Sequence, residues 1–342
     1  MDLHINKERL LQRLDQLAQI GAIPGNGVCR LALTDDDKAG RDLVVSWMRE
    51  LGLTITIDQI GNVVATRPGQ EAGPPVMTGS HIDTVATGGR YDGNLGVLAG
   101  LEIIATLNDN NIQTRYPVAV AFFTNEEGAR FHPDMMGSWV FRGDFPVEKA
   151  LAAVGIDGTT VGENLERIGY AGPVPCGSQA VKAFVELHVE QGPVLELDGV
   201  QIGAVTGVQG MSWREYTGKG VSNHAGTTPM HLRHDAGYGA SAIATAARDL
   251  ALDMGGHQVA TVGSIKLIPG LVNVIAKEAR LTVDLRNTDE ALLQQAEAQM
   301  SAKIDAIAKG EGLEITSRSL ARFEPVVFDP DMIDLVTKTA QD

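Results

Sequence analysis

PVMTGSHIDTVATGGRYDGNLGVLAGLEIIATL, residues 75–107, decides the fold class. It opens on the apolar run PVMTGS (75–80), passes through a polar glycine-rich loop, and closes on LGVLAGLEIIATL (95–107), which has the length and apolar content of a buried helix. A second apolar run, PVAVAFFT (117–124), follows. Continuous apolar runs of this length are expected of strands covered on both faces. Strand, helix, strand in that order predicts an α/β domain with a mostly parallel sheet. Upstream, Leu10, Leu11, Leu14, Leu17 and Ile20 fit one helix, and Leu43, Val44, Trp47, Met48 and Leu51 another. LTITID (53–58) and NVVATR (62–67) read as strands joined by a Gly-Asn turn.

The chemistry sits where the strands end. His81 directly follows PVMTGS, and Glu126 and Glu127 follow PVAVAFFT after the single residue Asn125. AFVELHVEQG (183–192) reads as a third strand carrying His188 near its end, and Asp92 lies in YDGN. Ligands of open α/β sheets gather at the carboxyl ends of strands. Imidazole and carboxylate donors suit divalent cations, and hydrolysis also needs one carboxylate left free to move protons. On these grounds His81, Asp92, Glu127 and His188 are candidate metal ligands and Glu126 is the candidate base. Asp83 is placed to accept the second N–H of the His81 ring. An isolated Glu-Glu pair is ordinarily a solvated turn, but this pair is delivered by a buried strand.

From about residue 206 the pattern changes. SWREYTG (212–218), QVATVGSIK (258–266) and ARLTVDLR (279–286) alternate like strands, whereas 235–254 and 289–310 read as helices. Strand, helix, strand, strand, helix, strand predicts a smaller α+β domain with one open sheet face. The expected division is a catalytic domain over 1–205 that resumes at 323–342, with the smaller domain inserted at 206–322.

The 342 residues include 44% hydrophobic and 21% charged residues, with a formal net charge of −15. No Lys/Arg cluster is present, so no nucleic-acid partner is expected. The N-terminus MDLHINKERLLQRLDQ has no unbroken apolar core and no apolar run reaches membrane-spanning length, so a cytoplasmic protein is expected. Cys29 and Cys176, the two cysteines, form no CxxC pair and read as free thiols.

SHIDTV (80–85), DGNLGV (92–97), NEEGARF (125–131), ELHVEQGP (186–193), NHAGTTPM (223–230) and the VNVI and DLR segments (272–275 and 284–286) resemble the M20 family of metallopeptidase-like amidohydrolases. Within it they resemble the hydantoinase/carbamoylase branch. The resemblance implies two divalent ions per subunit (Zn, Mn, Co or Ni), with Asp92 bridging them and Glu126 as general base. It further implies a smaller domain that serves as lid and homodimer contact. From that domain His224 would polarise the scissile carbonyl of the partner's substrate, and Asn273 and Arg286 would hold a substrate carboxylate. Gln191 would lie near the carbamoyl group.

The activity so implied is hydrolysis of N-carbamoyl-L-amino acids. β-Ureidopropionase and allantoate amidohydrolase are the nearer alternatives; a dipeptidase, an aminoacylase or a non-catalytic binding protein are the further ones. The family also carries a late ligand histidine in a glycine-rich segment. This sequence stops in DMIDLVTKTAQD (331–342) without one, so it reads as truncated, with weak metal retention expected at Glu127.

Overall fold

The computed structural model describes residues 3–177 and 179–341. Contacts divide the chain into two compact units, Met1–Pro193 and Val194–Asp342. Among the described residues no helix is long and apolar enough to cross a membrane.

The first unit runs α1 (Lys7–Ala18), β1 (Ala22–Ile23), β2 (Gly27–Val28), α2 (Asp35–Glu50), β3 (Thr54–Ile57), β4 (Val63–Arg67), β5 (Val76–His81), α3 (Asp92–Asp109), β6 (Val118–Phe123), α4 (Met136–Arg142), α5 (Val147–Leu151), α6 (Val161–Ile168) and β7 (Ala183–Val185). Its five-stranded sheet has the order β3-β4-β6-β5-β7. β5 pairs in parallel with both β6 and β7, whereas β4 is antiparallel to β6 and β3. The sheet is therefore mixed. β3 and β4 are antiparallel because only five residues, 58–62, join them, too few for a crossover. Asp58 closes that connection, its carboxylate accepting the Ile60 and Asn62 amides at 3.1 and 2.9 Å.

Strands β5 and β6 are almost wholly buried, as their apolar runs require. α3 packs directly on β5; at Gly96 a Cβ would stand 3.0 Å from the Ser80 side chain and 2.6 Å from the Leu187 carbonyl, so only glycine allows this approach. α3 begins at Asp92, three residues before the apolar run that announces it. β7 covers only Ala183–Val185, so His188 follows the strand instead of ending it. The chain between β6 and β7 holds α4, α5 and α6, short helices without a long apolar periodicity.

The second unit runs α7 (Val194–Asp198), β8 (Gly207–Val208), β9 (Gly210–Lys219), α8 (Ala236–Met254), β10 (Val259–Ile268), β11 (Glu278–Asn287), α9 (Glu290–Glu311), β12 (Glu314–Phe323), β13 (Val326–Val327) and α10 (Pro330–Gln341), with a single 3-10 turn at Met230–Leu232. Its antiparallel sheet has the order β10-β11-β9-β12. Ala279, Leu281, Val283 and Leu285 alternate inward from β11 against Ala240, Ile243 and Ala247 of α8 and Leu293, Ala296 and Met300 of α9. The intervening residues, Arg280, Thr282, Asp284 and Arg286, are the polar face that the alternation demands.

α1 is fastened to α3 through one carboxylate. Glu102 accepts Nε and a terminal nitrogen of Arg9, each at 2.7 Å, and the Asn6 amide at 2.8 Å. Burial alone pushes the Glu102 carboxyl up, but Arg9 and Asn6 outweigh it and leave it below its ordinary value. A depressed carboxylate contributes stability above its unfolded pKa, about 4.3 for Glu, and loses it as pH falls through the folded value. Glu102→Gln is expected to cost about 2 kcal/mol at pH 7, and the cost should shrink below about pH 4. Urea melts of both proteins across this range measure the effect; an equal cost at pH 7 and pH 3 would contradict it.

Candidate metal centre

The parallel pairing of β5 with β6 sets His81 opposite Phe123, so the two chains leave the sheet side by side. His81 is the last residue of β5 and is buried. The chain after β6 turns through Asn125 in the left-handed region (φ 54°), a conformation asparagine tolerates better than most residues. The Asn125 amide nitrogen donates to the carbonyls of Phe131 and Pro133 at 2.9 and 3.1 Å. This turn presents Glu126 and Glu127.

Asp83 joins the two exits. One oxygen of its carboxylate accepts the Glu126 amide at 3.3 Å and the other the Glu127 amide at 3.2 Å. The expected partnership of this carboxylate with the His81 ring is not what forms. His81 Nδ1 instead donates to the main-chain carbonyl of Asp83 at 2.9 Å, because the chain curls back immediately after the strand. The tautomer is fixed all the same, with Nε2 turned inward. His188 is held likewise, its Nδ1 donating to the Val189 carbonyl at 2.8 Å.

Both inward nitrogens face the carboxylate of Asp92, the first residue of α3. His81 Nε2 lies 3.9 Å and His188 Nε2 3.5 Å from Asp92 Oδ1. His81, Asp92 and His188 each offer one donor atom within 4.8 Å of the others, a grouping able to hold a metal ion. Glu126 stands beside them with Oε2 3.4 Å from His81 Nε2. Glu127 lies close enough to Asp92 and His81 for their charges to act on it, and its Oε1 is buried without a hydrogen-bond partner. Gln191, also in the left-handed region (φ 55°), donates its side-chain nitrogen to Asp92 Oδ1 at 2.7 Å. His81, Asp92 and His188 thus form one donor group, with Glu126 and Gln191 against it and Asp83 behind the Glu pair; Glu127 is outside that group.

The electrostatics match the crowding. Burial pushes the Glu126 carboxyl up to about 7, with the His81 cation opposing and Asp83 and Asp134 reinforcing. Burial likewise pushes Glu127 up to about 8, helped by Asp92. Burial acts to lower the His81 ring, but Glu126 and Asp83 outweigh it and raise the ring to about 9. Carboxyls forced toward neutrality and an orphaned buried oxygen mark a site short of positive charge. An oxygen and imidazole donor set is what a divalent cation requires, so these residues fit one.

His224, Asn273 and Arg286 belong to the second unit. His224 Nδ1 accepts the Gly226 amide at 3.0 Å, so its Nε2 carries the hydrogen and can donate. The Ala225 amide donates to the Asn273 carbonyl at 3.0 Å, tying the NHAGTTPM loop to the VNVI segment. Arg286, on β11, pairs with Asp284 at 2.9 Å and lies over the Trp213 ring at 5.6 Å. Sequence reasoning missed Asn125, whose signal was an asparagine directly before the Glu pair. It also missed Glu186, which accepts from the Ser80 hydroxyl and raises Glu126.

The family model described as Peptidase family M20/M25/M40 matches residues 77–342. The chain belongs to this M20 family. It is 39% identical to an N-carbamoyl-L-amino-acid amidohydrolase of Rhizobium meliloti, over 98% of this chain and 81% of that protein. It is 31% identical to a ureidoglycolate hydrolase of Arabidopsis thaliana, over 97% of this chain and 72% of that protein. Among solved structures, an amidase of the hydantoinase/carbamoylase family from Burkholderia multivorans is 47% identical with a TM-score of 0.89, covering 99% of this chain and 83% of that one. The M20 fold, a mixed-sheet α/β catalytic part with a second smaller sheet, is what the two units display.

His81 and Glu127 both hold their protons to higher pH than usual, His81 because of the surrounding carboxylates and Glu127 because of burial, and each must give its proton up to bind a cation. Divalent metal added at pH 7 is expected to release protons, and affinity should climb as pH rises from 6 toward 9. Calorimetry in buffers of different ionisation enthalpy reads both; proton-free binding would contradict the assignment. At Gly93, a Cβ would stand 2.3 Å from the His81 ring. Gly93→Ala should therefore weaken metal binding by roughly tenfold or more, measured by equilibrium dialysis.

Proposed function

We propose that this M20 member is a metal-dependent amidohydrolase that cleaves the carbamoyl C–N bond of N-carbamoyl-L-amino acids, yielding the amino acid, carbon dioxide and ammonia. The observation that carries this reading is the convergence of His81, Asp92 and His188 with a separate carboxylate, Glu126, 3.4 Å from His81. Its substrate class is supported by relatives named as N-carbamoyl-L-amino-acid amidohydrolases.

His81, Asp92, Glu127 and His188 would hold two divalent ions of the Zn, Mn, Co or Ni type, and bound ions supply Lewis acidity toward a carbonyl and its attacking water. Glu126 takes the proton from water as its oxygen adds to the ureido carbonyl. The same carboxyl then protonates the amino-acid nitrogen as the C–N bond breaks. The carbamic acid released decomposes to carbon dioxide and ammonia. Asp83 keeps Glu126 in reach of this chemistry by holding its main-chain amide.

Gln191 offers an amide to the carbamoyl group. His224, with hydrogen on Nε2, offers a donor to the developing oxyanion. Asn273 and Arg286 take the α-carboxylate, for which a guanidinium fork is well shaped. The functional division we propose is 1–205 with 323–342 for catalysis, and 206–322 for a lid and homodimer contact. The protein would work in the cytoplasm. The ureidoglycolate hydrolase relative favours a second reading, a ureido acid substrate of that kind.

Ammonia release from N-carbamoyl-L-α-amino acids, N-carbamoyl-β-alanine, allantoate, ureidoglycolate and dipeptides, with each metal added, tests the proposal. Turnover should be highest on an N-carbamoyl-L-α-amino acid; cleavage of dipeptides alone would overturn it. Glu126→Gln should lower kcat by about 10²–10⁴-fold with metal content unchanged.

A further inference from the structure

Arg30 is fully buried, and none of the acceptors its side chain reaches is a carboxylate. Its Nε donates to the Ile82 carbonyl at 2.7 Å. One terminal nitrogen donates to the Leu17 and Ile20 carbonyls at 3.0 and 2.9 Å, and the other to Asn94 Oδ1 at 2.8 Å. Its own main chain is bonded to Thr84 twice: the Arg30 amide donates to Oγ1 at 2.8 Å, and the Arg30 carbonyl accepts the Thr84 amide at 2.9 Å. In α2, a Cβ at Gly40 would stand 2.9 Å from Arg30 Cδ, so this glycine makes room for the side chain.

These contacts have a pattern. Ile82 is the residue between His81 and Asp83. Asn94 lies two residues after Asp92, in the first turn of α3. The Leu17 carbonyl belongs to the last turn of α1, the negative pole of that helix, and Ile20 follows its C-cap Gln19; together they anchor the guanidinium. One rigid planar group therefore grips, from behind, both segments that bring His81 and Asp92 together.

We propose that Arg30 is a positioning residue of the metal centre: its guanidinium holds the His81–Asp83 segment and the first turn of α3 at a fixed spacing, and so sets the separation of the His81 and Asp92 side chains. This rests on the metal-dependent reading above. Burying a cation against neutral acceptors is a costly way to fill a core, since apolar side chains of similar volume stabilise as well or better. What an apolar side chain lacks is the fixed fork that links two separate segments. Metal ligands must meet distance tolerances of about 0.2 Å, which segments moving independently would not keep. A lysine, with one point-like ammonium, reaches the Ile82 carbonyl or Asn94 but does not span them.

The test uses Arg30→Lys and Arg30→Met, with Asn94→Ala to cut the α3 arm alone and Leu165→Ala as a buried core change in α6. Hydrogen exchange on the metal-free protein reads segments 79–86 and 91–97. Cobalt(II) titration, followed by its visible spectrum, reads the centre. For Arg30→Lys, both segments should exchange faster together and the cobalt Kd should rise about 10–100-fold. Asn94→Ala should loosen 91–97 only, with a smaller rise in Kd, and it keeps the test open if the Arg30 variants do not fold. Leu165→Ala should lower the melting temperature while leaving both readouts at wild-type values. Wild-type exchange and cobalt affinity in Arg30→Lys and Asn94→Ala would overturn the proposal, as would equal weakening in Leu165→Ala. A wild-type protein that bound no cobalt would defeat the metal reading, and the exchange data would still decide the role of Arg30.

Discussion

The two amides that Asp83 accepts hold the centre together. Parallel strands end level with one another, and the loops that leave them carry main-chain N–H groups the sheet no longer pairs. β5 and β6 solve this with a single buried carboxylate, which takes the Glu126 amide on one oxygen and the Glu127 amide on the other. The solution carries a desolvation cost, visible in the upward shift of the Asp83 carboxyl by burial. In return the candidate base and a candidate ligand are fixed to the same strand end as His81. The distance from Glu126 to His81 is thus a property of the sheet register and not of a free loop.

Around that joint each further element adds one constraint. α3 brings Asp92 on its first residue, where the helix pole favours a carboxylate, and Gly93 lets the His81 ring lie against it. His81 and His188 are each turned inward by a main-chain carbonyl close in sequence, so both tautomers are local decisions. The second unit makes a comparable local decision at His224, in the opposite sense: there Nδ1 accepts and Nε2 is left to donate.

Much of this was legible because burial leaves a trace in sequence. β5, β6 and α3 are apolar runs, and the order strand, helix, strand, strand, helix, strand of the second unit follows from alternation and amphipathic period. The grouping of His81, Asp92 and His188 was legible from the family motifs, and His81 also from its place at a strand end. Some of what escaped has a physical reason. α3 starts at Asp92 because its first turn is polar and glycine-rich, so hydropathy sees it only from Leu95. β7 stops at Val185 although the apolar alternation continues. α4 and α5 begin without side-chain caps. α6 does carry a Thr160–Glu163 capping box, a signal that four residues of sequence contain. Asp83 makes its decisive bonds to main-chain amides, and Arg30 bonds main-chain carbonyls and Asn94 far from it in sequence, which no local residue pattern encodes.

Arg286 and Asp284 sit two residues apart on one strand and so point from the same face. Their pairing means that the guanidinium already has an anionic companion before any solute arrives. Under the role proposed for Arg286, recruiting a substrate would be a swap of one carboxylate for another. A swap preserves charge balance only when the newcomer is itself an anion, so an ester or amide of the same shape would have nothing equivalent to offer. In that role, an intramolecular stand-in of this kind would turn an ordinary cationic contact into a filter against uncharged look-alikes.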